Sequence, residues 1–475
     1  MSPVSAKTPS DRGAQFEELR RRVAGTVVEA REQTYEELVR PWNLAVEMTP
    51  AAVVVPWSAS DVSATVAFAR AHELTVGVQA TGHGAVSSLA GDILVVTRHL
   101  DEVTVHADDR WARVGAGVTW RRVIDEAARY GLAPLNGSSS GVGVVGYTTG
   151  GGAGPMCRTF GLAADRVRAF EVVTGDGVLR RVTAEEHPDL FFALRGGKGA
   201  GGIVTAVEFD LVPLASFYGG ALYFPGEHAQ AVVDRWRTWS RTLPERATSS
   251  FAILQLPPGI PGVPPPLAGR ASISLRYLWV GDPDEGARLL EEMRAVAPVL
   301  LDDVAEKPYT AVDSVHADPV EPMPVYDRAM LLTDLSEETV ARLLAVAGPD
   351  SGSPQLMVEV RQLGGAYARE GVHPSAFTHR DAAYSVMIVG IPFDPAVPPH
   401  AERLTAALAD WDTGGVWPNL APPHDSASAR RAYDAPTLDR LAAVAERYDP
   451  DGVFAAGAFL RAPSGAASAS GATGI

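Results

Sequence analysis

From Ala51 onward the chain alternates short apolar runs with amphipathic stretches. AAVVVP (51–56) predicts a strand closed by a proline. SASDVSATVAFARAHEL (58–74) sets Val62, Val66 and Ala69 on one face behind an N-capping serine, the pattern of a helix. Strands are predicted at 75–79, 93–96, 102–106 and 111–116, and TWRRVIDEAARYG (119–131) reads as a helix ending at a glycine C-cap. RAFEVVTGDG (168–177) predicts a strand and hairpin turn, and FFALRGGKGAGGIVTAVEFDL (191–211) a glycine-rich turn leading into a strand. Many short strands without regular βαβ alternation predict an α+β fold.

Beyond Val212 the segments lengthen into amphipathic helices, HAQAVVDRWRTWSRTL (228–243) and DEGARLLEEMRAVAPVL (284–300), separated by the proline-rich LPPGIPGVPPPLAG (256–269). That change places a domain boundary near 212–218. LDRLAAVAERYDPDGVFA (438–455) predicts a helix followed by a turn, and residues 1–14 and 469–475 are small, polar and expected to be disordered.

Composition narrows the classes. At 475 residues, 46% hydrophobic and 21% charged, the chain fits a soluble protein of two domains. Its 57 acidic against 41 basic residues argue against nucleic acid or an anionic membrane as partner. Cys157 is the single cysteine, so no intramolecular disulfide or cysteine-based metal cage can form. The eleven histidines show no HExxH or paired spacing, and no metal site is predicted. No apolar run could span a bilayer, and the polar N-terminus lacks the apolar core of a signal peptide, so a cytoplasmic location is expected. Nothing in the pattern fixes an oligomeric state.

Chemistry concentrates in three glycine-rich turns. In VGVQATGHGAVSSLAGDILVV (76–96) His83 stands between Gly82 and Gly84, on backbone free to approach a ligand closely. Taken alone, it is equally a surface turn that contains a histidine. NGSSSGVGVVGYTTGGGAG (136–154) interleaves Val142, Val144, Val145 and Tyr147 with its glycines, which fits a tightly folded loop with amides facing a ligand better than a linker. It holds no GxxxxGK[ST], which excludes a Walker-type site. With the turn at 195–202, these loops could wrap a long, flat, phosphate-bearing cofactor in backbone amides.

TGHG (81–84), VGVVGYTTGGGAG (142–154), FGLAADRV (160–167), DLFFALRGG (189–197), GGIVTAVEF (201–209), RQLGGAYAR (361–369), AFTHRDA (376–382) and RYDPDGVF (447–454) occur in one order over roughly 40 to 460. In these motifs the chain resembles the berberine-bridge-enzyme-like flavin oxidases, FAD-binding PCMH-type proteins of the vanillyl-alcohol-oxidase superfamily. The resemblance implies a two-subdomain FAD-binding PCMH fold over 41–214 after an N-terminal segment (1–40). It further implies a substrate domain (215–412) with an antiparallel sheet covered by helices, a segment (413–462) returning to the FAD domain, and a tail (463–475). It implies FAD bound through Ala80, Thr81, Gly82, His83, Gly84 and Ala85, through Ser139, Val142, Gly143, Gly146, Tyr147, Gly150, Gly151, Gly152 and Gly154, and through Gly202, Ile203, Val204 and Asn419. His83 takes the place of the family's histidine bonded to the flavin 8α-methyl. Where some members carry a second, cysteine link this chain has Ser139, so a monocovalent flavin is expected.

Two departures affect the mechanism. The family's GNFG is here Gly199-Ala200-Gly201-Gly202, and its YxNY is Trp417-Pro418-Asn419-Leu420, whose tryptophan cannot accept a proton. Removing a substrate proton while hydride goes to flavin N5 therefore needs another base. In QLMVEVRQLGG (355–365) strand alternation puts Glu359 and Arg361 on one face, and the resemblance makes Glu359 a candidate base; a solvent-facing ion pair is the equal alternative. Tyr384 is the fallback base, Val386 and Ile388 suggest an apolar pocket wall, and the His379–Arg380 pair reads as structural. The expected activity is an oxidase that takes a C–OH or C–N bond of a small organic substrate and passes electrons to O2. A flavin-N5-oxide oxygenase, an O2-independent dehydrogenase and a flavin carrier without catalysis are the alternatives.

Overall fold

The computed structural model describes residues 9–259 and 262–461; the expectations for residues 1–8 and for the 463–475 tail lie outside the described residues. Three large sheets and one two-stranded pair build the described residues. In the first, Ala52–Val55, Ile93–Val96 and Val76–Gln79 run parallel, with Thr26–Glu29 antiparallel at one edge. Val53, Val54, Leu94 and Val95 are buried on both faces, which is why these strands read as continuous apolar runs. Ser58 caps the helix Ala59–Ala71 by accepting from the Asp61 N–H.

The N-terminal expectation needs correction. Pro9–Arg22 is a helix, and Phe16, Leu19, Val23 and Val27 bury with Val62 and Val66. The segment before residue 41 is thus part of the first layer, because its apolar residues cover helix and strand faces that would otherwise meet water.

The second sheet is antiparallel, in the order Val103–His106, Trp111–Gly115, Gly202–Asp210, Val167–Thr174, Leu179–Val182. Val212–Pro213 still pairs with Leu132–Ala133, and the third sheet begins at Ser216–Pro225. That sheet has eight strands, with Arg270–Trp279, Ala247–Leu256, Met357–Gln362, Tyr384–Gly390 and Tyr326–Leu332 following in spatial order. Ala229–Ser240, Pro283–Arg294, Glu337–Ala347 and Val397–Ala407 send Trp236, Leu290, Leu343 and Leu404 into the core on one face. The other face turns toward the glycine-rich loops, as the contact of Pro155 with Ser250 and Arg361 around one small cavity records.

The C-terminal helix is Ala435–Tyr448, with Leu441, Val444 and Tyr448 against Leu190 and Phe191. The turn expected after it is made by the Asp449 carboxylate, which accepts from the N–H groups of Val453 and Phe454, and by Gly452 at φ +71°. Val453 then accepts from the Val76 N–H, tying the segment to the first sheet.

Candidate functional site

The turn after Val76–Gln79 is held open from below. Gly82 has φ +77°, and a Cβ there would lie 2.6 Å from Pro41 Cα, so only glycine fits. Next to it, the His83 ring lies on Trp42, centroids 4.7 Å apart at 15°, and Nδ1 is hydrogen-bonded to Thr81 Oγ1 at 2.8 Å. Nε2 has no partner among the described residues. Burial, partly opposed by Asp318, lowers the imidazole's proton affinity to about 4, so the ring is neutral at physiological pH. The N–H groups of Gly82, His83, Gly84, Val86, Ser87 and Ser88 find no acceptor among the described residues. Six donors on one turn are thus free of protein acceptors and open to an anionic ligand.

The loop 136–154 divides its glycines between two tasks. A Cβ at Gly137, Gly152 or Gly154 would strike Tyr147, whose ring meets Trp120 edge-on and whose hydroxyl is buried without a partner. These glycines make room for an aromatic anchor; Tyr147 points into the core and can offer a cofactor only its backbone. Gly143 packs on Ala80, Gly150 on Asn419 and Lys198, and Gly151 on Phe377. Open space lies above Gly146, with nothing within 4 Å of a Cβ, and nearly so above Gly141 and Gly84, each with one side-chain atom at 3.6 Å. Asn419 braces the loop by donating from Nδ2 to Tyr147 O at 2.9 Å.

Other expected contacts are placed differently. Ile203 and Val204 bury their side chains in the cores, and a Cβ on Gly202 would lie 2.3 Å from Val172 Cγ1, so these three serve packing against Val167–Thr174. Ser139 and Val142 are half-buried beside Gly141. Ala85 touches the small core under the first sheet. Trp417 is buried and donates Nε1–H to Tyr367 Oη. Cys157 is buried, and burial raises its thiol.

On the sheet, Glu359 and Arg361 share the face turned toward the glycine loops, and both are buried. Burial alone would raise the Glu359 carboxyl, but Arg361 and Arg276 hold it well below the ordinary range. Arg276 Nη1 lies 2.9 Å from Oε1, Arg361 Nη2 3.2 Å from Oε2, and Ser250 donates to Oε1 at 2.7 Å. His316 Nε2 sits 3.5 Å from the same carboxylate and 3.1 Å from Arg361, and burial lowers its proton affinity. A carboxylate so committed is a weak proton acceptor. The cavity beside this cluster is about 10 Å³, room for about one water.

The Tyr384 expectation is corrected. It pairs with Gln362 and packs on Trp236, on the helix-covered face, as do Val386 and Ile388. Strand alternation puts Ser385, Met387 and Val389 on the loop-facing side instead. The same register places Asp327 on that side, opposite Val389, which faces Met357. Asp327 is exposed, yet its carboxyl sits in surroundings that push it up to about 6, with no cation within 4.0 Å among the described residues. Sequence reading missed it because nothing marks Tyr326–Leu332 as a partner of Tyr384–Gly390 until register is known. It also missed the clamp of segment 316–325 on the N-terminal arm, where Trp42 donates from Nε1 to Val320 O and Asn43 pairs with Met323. His379 Nε2 lies against the carbonyls of Arg431 and Ala432, and Arg380 pairs with buried Asp165, so that motif braces the fold.

The residues fit FAD. Unused N–H donors suit its diphosphate, the open glycines 84, 141 and 146 leave room for a flat ring, and His83 stands half-buried at the turn. Among the described residues, no group of three His, Cys, Asp or Glu could hold a metal, and no helix is long and apolar enough to cross a membrane. A larger groove of about 560 Å³, between Phe192, Phe377, Arg380 and Arg440, contains none of the His83 turn.

Comparison with known proteins agrees with this cleft. Residues 50–183 match the family model of an FAD binding domain. An FAD-linked oxidoreductase of Dictyostelium discoideum is 24% identical over 373 residues, covering 78% of this chain and 79% of that protein. The fold is shared with BBE-like 1 of Physcomitrella patens at TM-score 0.80 and 20% identity, over 93% of this chain and 97% of the other. It is shared also with 6-hydroxy-D-nicotine oxidase of Arthrobacter nicotinovorans at TM-score 0.77 and 23% identity, over 91% and 96%.

Proposed function

The chain is an FAD-dependent oxidoreductase with the fold of the berberine-bridge-enzyme-like flavin oxidases, and from that premise we propose that it oxidises a C–OH or C–N bond of a small organic substrate and returns the electrons to O2. Bound FAD supplies the two-electron acceptor. The turn Gly82–Ser88 would hold its diphosphate, and His83 would offer an imidazole nitrogen for one covalent bond to the 8α-methyl. In holding the flavin this way His83 would give up one ring proton, and the accompanying two-electron oxidation would be balanced by O2 reduced to hydrogen peroxide. The observation that carries this reading is the His83 ring fixed by Thr81 and Trp42 beside six unused donors.

The substrate lies against the sheet face of Met357, Met387 and Val389. Asp327 takes the proton that leaves the substrate's heteroatom: it stands opposite Val389 on this face, with no cation within 4.0 Å among the described residues, and its surroundings raise it to about 6. Glu359 keeps Arg276 and Arg361 in place. A panel of alcohols, amino alcohols and cyclic amines, mixed anaerobically with the purified yellow protein, tests the reading. Bleaching by one class, followed by recolouring and peroxide on admitting O2, is expected. Bleaching that O2 does not reverse, with an added dye restoring the colour, would make the protein a dehydrogenase.

A further inference from the structure

Lys198 is at odds with its surroundings. It lies in Gly196-Gly197-Lys198-Gly199-Ala200-Gly201-Gly202 and has φ +56°, a left-handed conformation that costs a side-chain-bearing residue about 1 kcal/mol and glycine nothing. The strain brings an ammonium to the loop 136–154. Nζ donates to Gly146 O at 3.0 Å, and Cε would stand 2.6 Å from a Cβ on Gly150, beside Asn419. Thr149 O fixes the base of the side chain by accepting from the Lys198 N–H.

That ammonium has no carboxylate within 4.0 Å among the described residues. Arg276 and Arg361, the cations facing the loops from the sheet, share the one carboxylate of Glu359, and Arg380 pairs with Asp165, whereas Lys198 pairs with none. Burial alone lowers the lysine's proton affinity, to about 8, so it remains mostly charged at neutral pH. Lys198 is half-buried, and a cation held against the protein without an anion favours a ligand that supplies one. Gly146, whose carbonyl it grips, is the loop glycine with nothing within 4 Å of a Cβ.

We propose that Lys198 is a counter-cation for bound FAD, its ammonium set against the Gly146 carbonyl of the loop 136–154 to neutralise negative charge on the cofactor. FAD carries such charge in two places: permanently on the diphosphate, and on the ring after it takes up a hydride. The inference rests on the FAD reading of the cleft and adds to it a lysine that the motif resemblance does not assign.

The test compares Lys198→Gly and Lys198→Arg in the full-length protein, each in a His83→Ala background that leaves the flavin exchangeable. Glycine removes the charge while relieving the backbone, so this variant should fold; Lys198→Gln is the second neutral variant. Affinities of the apoproteins for FAD and for ADP are measured, together with the flavin midpoint potential. The proposal expects at least a tenfold effect in Lys198→Gly, largely restored by arginine. If the charge serves the diphosphate, FAD and ADP both weaken about tenfold and the potential stays. If it serves the reduced ring, ADP binding stays and the potential falls by about 30 mV, the equivalent of tenfold for two electrons. Neutral variants that bind both ligands normally at an unchanged potential would overturn it, as would an arginine variant no better than glycine. Absence of FAD binding even with Lys198 present would instead refute the FAD reading itself.

Discussion

His83 lies nearly flat on Trp42, ring centroids 4.7 Å apart at 15°, and this stack sets the orientation of the imidazole. Trp42 is itself clamped through its N–H to Val320 O. Trp42→Ala should therefore leave noncovalent FAD binding within severalfold of the parent and slow covalent attachment by at least tenfold, read as flavin bound to denatured protein over time. Equal attachment rates would show that Thr81 alone orients the ring.

The sign of the pH effect on attachment follows from the same burial. A neutral nitrogen is required, and His83 stays neutral down to about 4, whereas an ordinary imidazole is protonated below about 6.5. Attachment to the apoprotein should be flat from pH 8 to 5 and fall only below that. A decline centred at about 6.5 would contradict the environment described.

Two glycines of one loop should behave oppositely. Gly146→Ala meets no atom within 4 Å, so its melting temperature should hold while FAD binding weakens. Gly152→Ala has φ +78° and would put Cβ 2.6 Å from Tyr147 Cε1, so it should cost about 1–3 kcal/mol in denaturant unfolding.

On the sheet, Tyr384→Phe should retain turnover, because its ring lies on the helix-covered face. Glu359→Gln removes the anion between two buried guanidiniums and should destabilise by about 3–5 kcal/mol. Because the folded-state proton affinity of Glu359 is depressed, its contribution is present above about 4.3, the ordinary glutamate value. It is lost as pH falls from there toward the lower folded value.

Asp327→Asn should lower kcat/KM by about 100-fold or more and abolish the acidic limb, which in the parent rises with pH through about 6 as the carboxyl ionises. Its melting temperature at pH 7 should be unchanged or higher, since the folded state disfavours the charge. A limb that persists in the variant would assign the base elsewhere.

Much of this was legible in the chain. The buried parallel strands, the Ser58-capped helix and the His83 turn follow from local apolar runs and from glycines whose backbone angles only they adopt. Glu359 and Arg361 sharing a face followed from the period of two within one strand. What local pattern could not supply was pairing between distant strands. Registering Tyr326–Leu332 on Tyr384–Gly390 puts Tyr384 on the helix-covered face and Asp327 on the loop-facing one. The glycines around Tyr147 look like ligand-binding glycines until the ring they accommodate is seen.

The most direct test of the account is the state of the flavin in denatured protein. The purified chain is precipitated in acid, and the pellet is taken for an absorption spectrum and an intact mass, beside His83→Ala. A yellow pellet carrying the mass of one FAD, with a colourless and unmodified variant, is the predicted result. A colourless parent pellet with all the FAD in the supernatant would contradict the covalent role of His83.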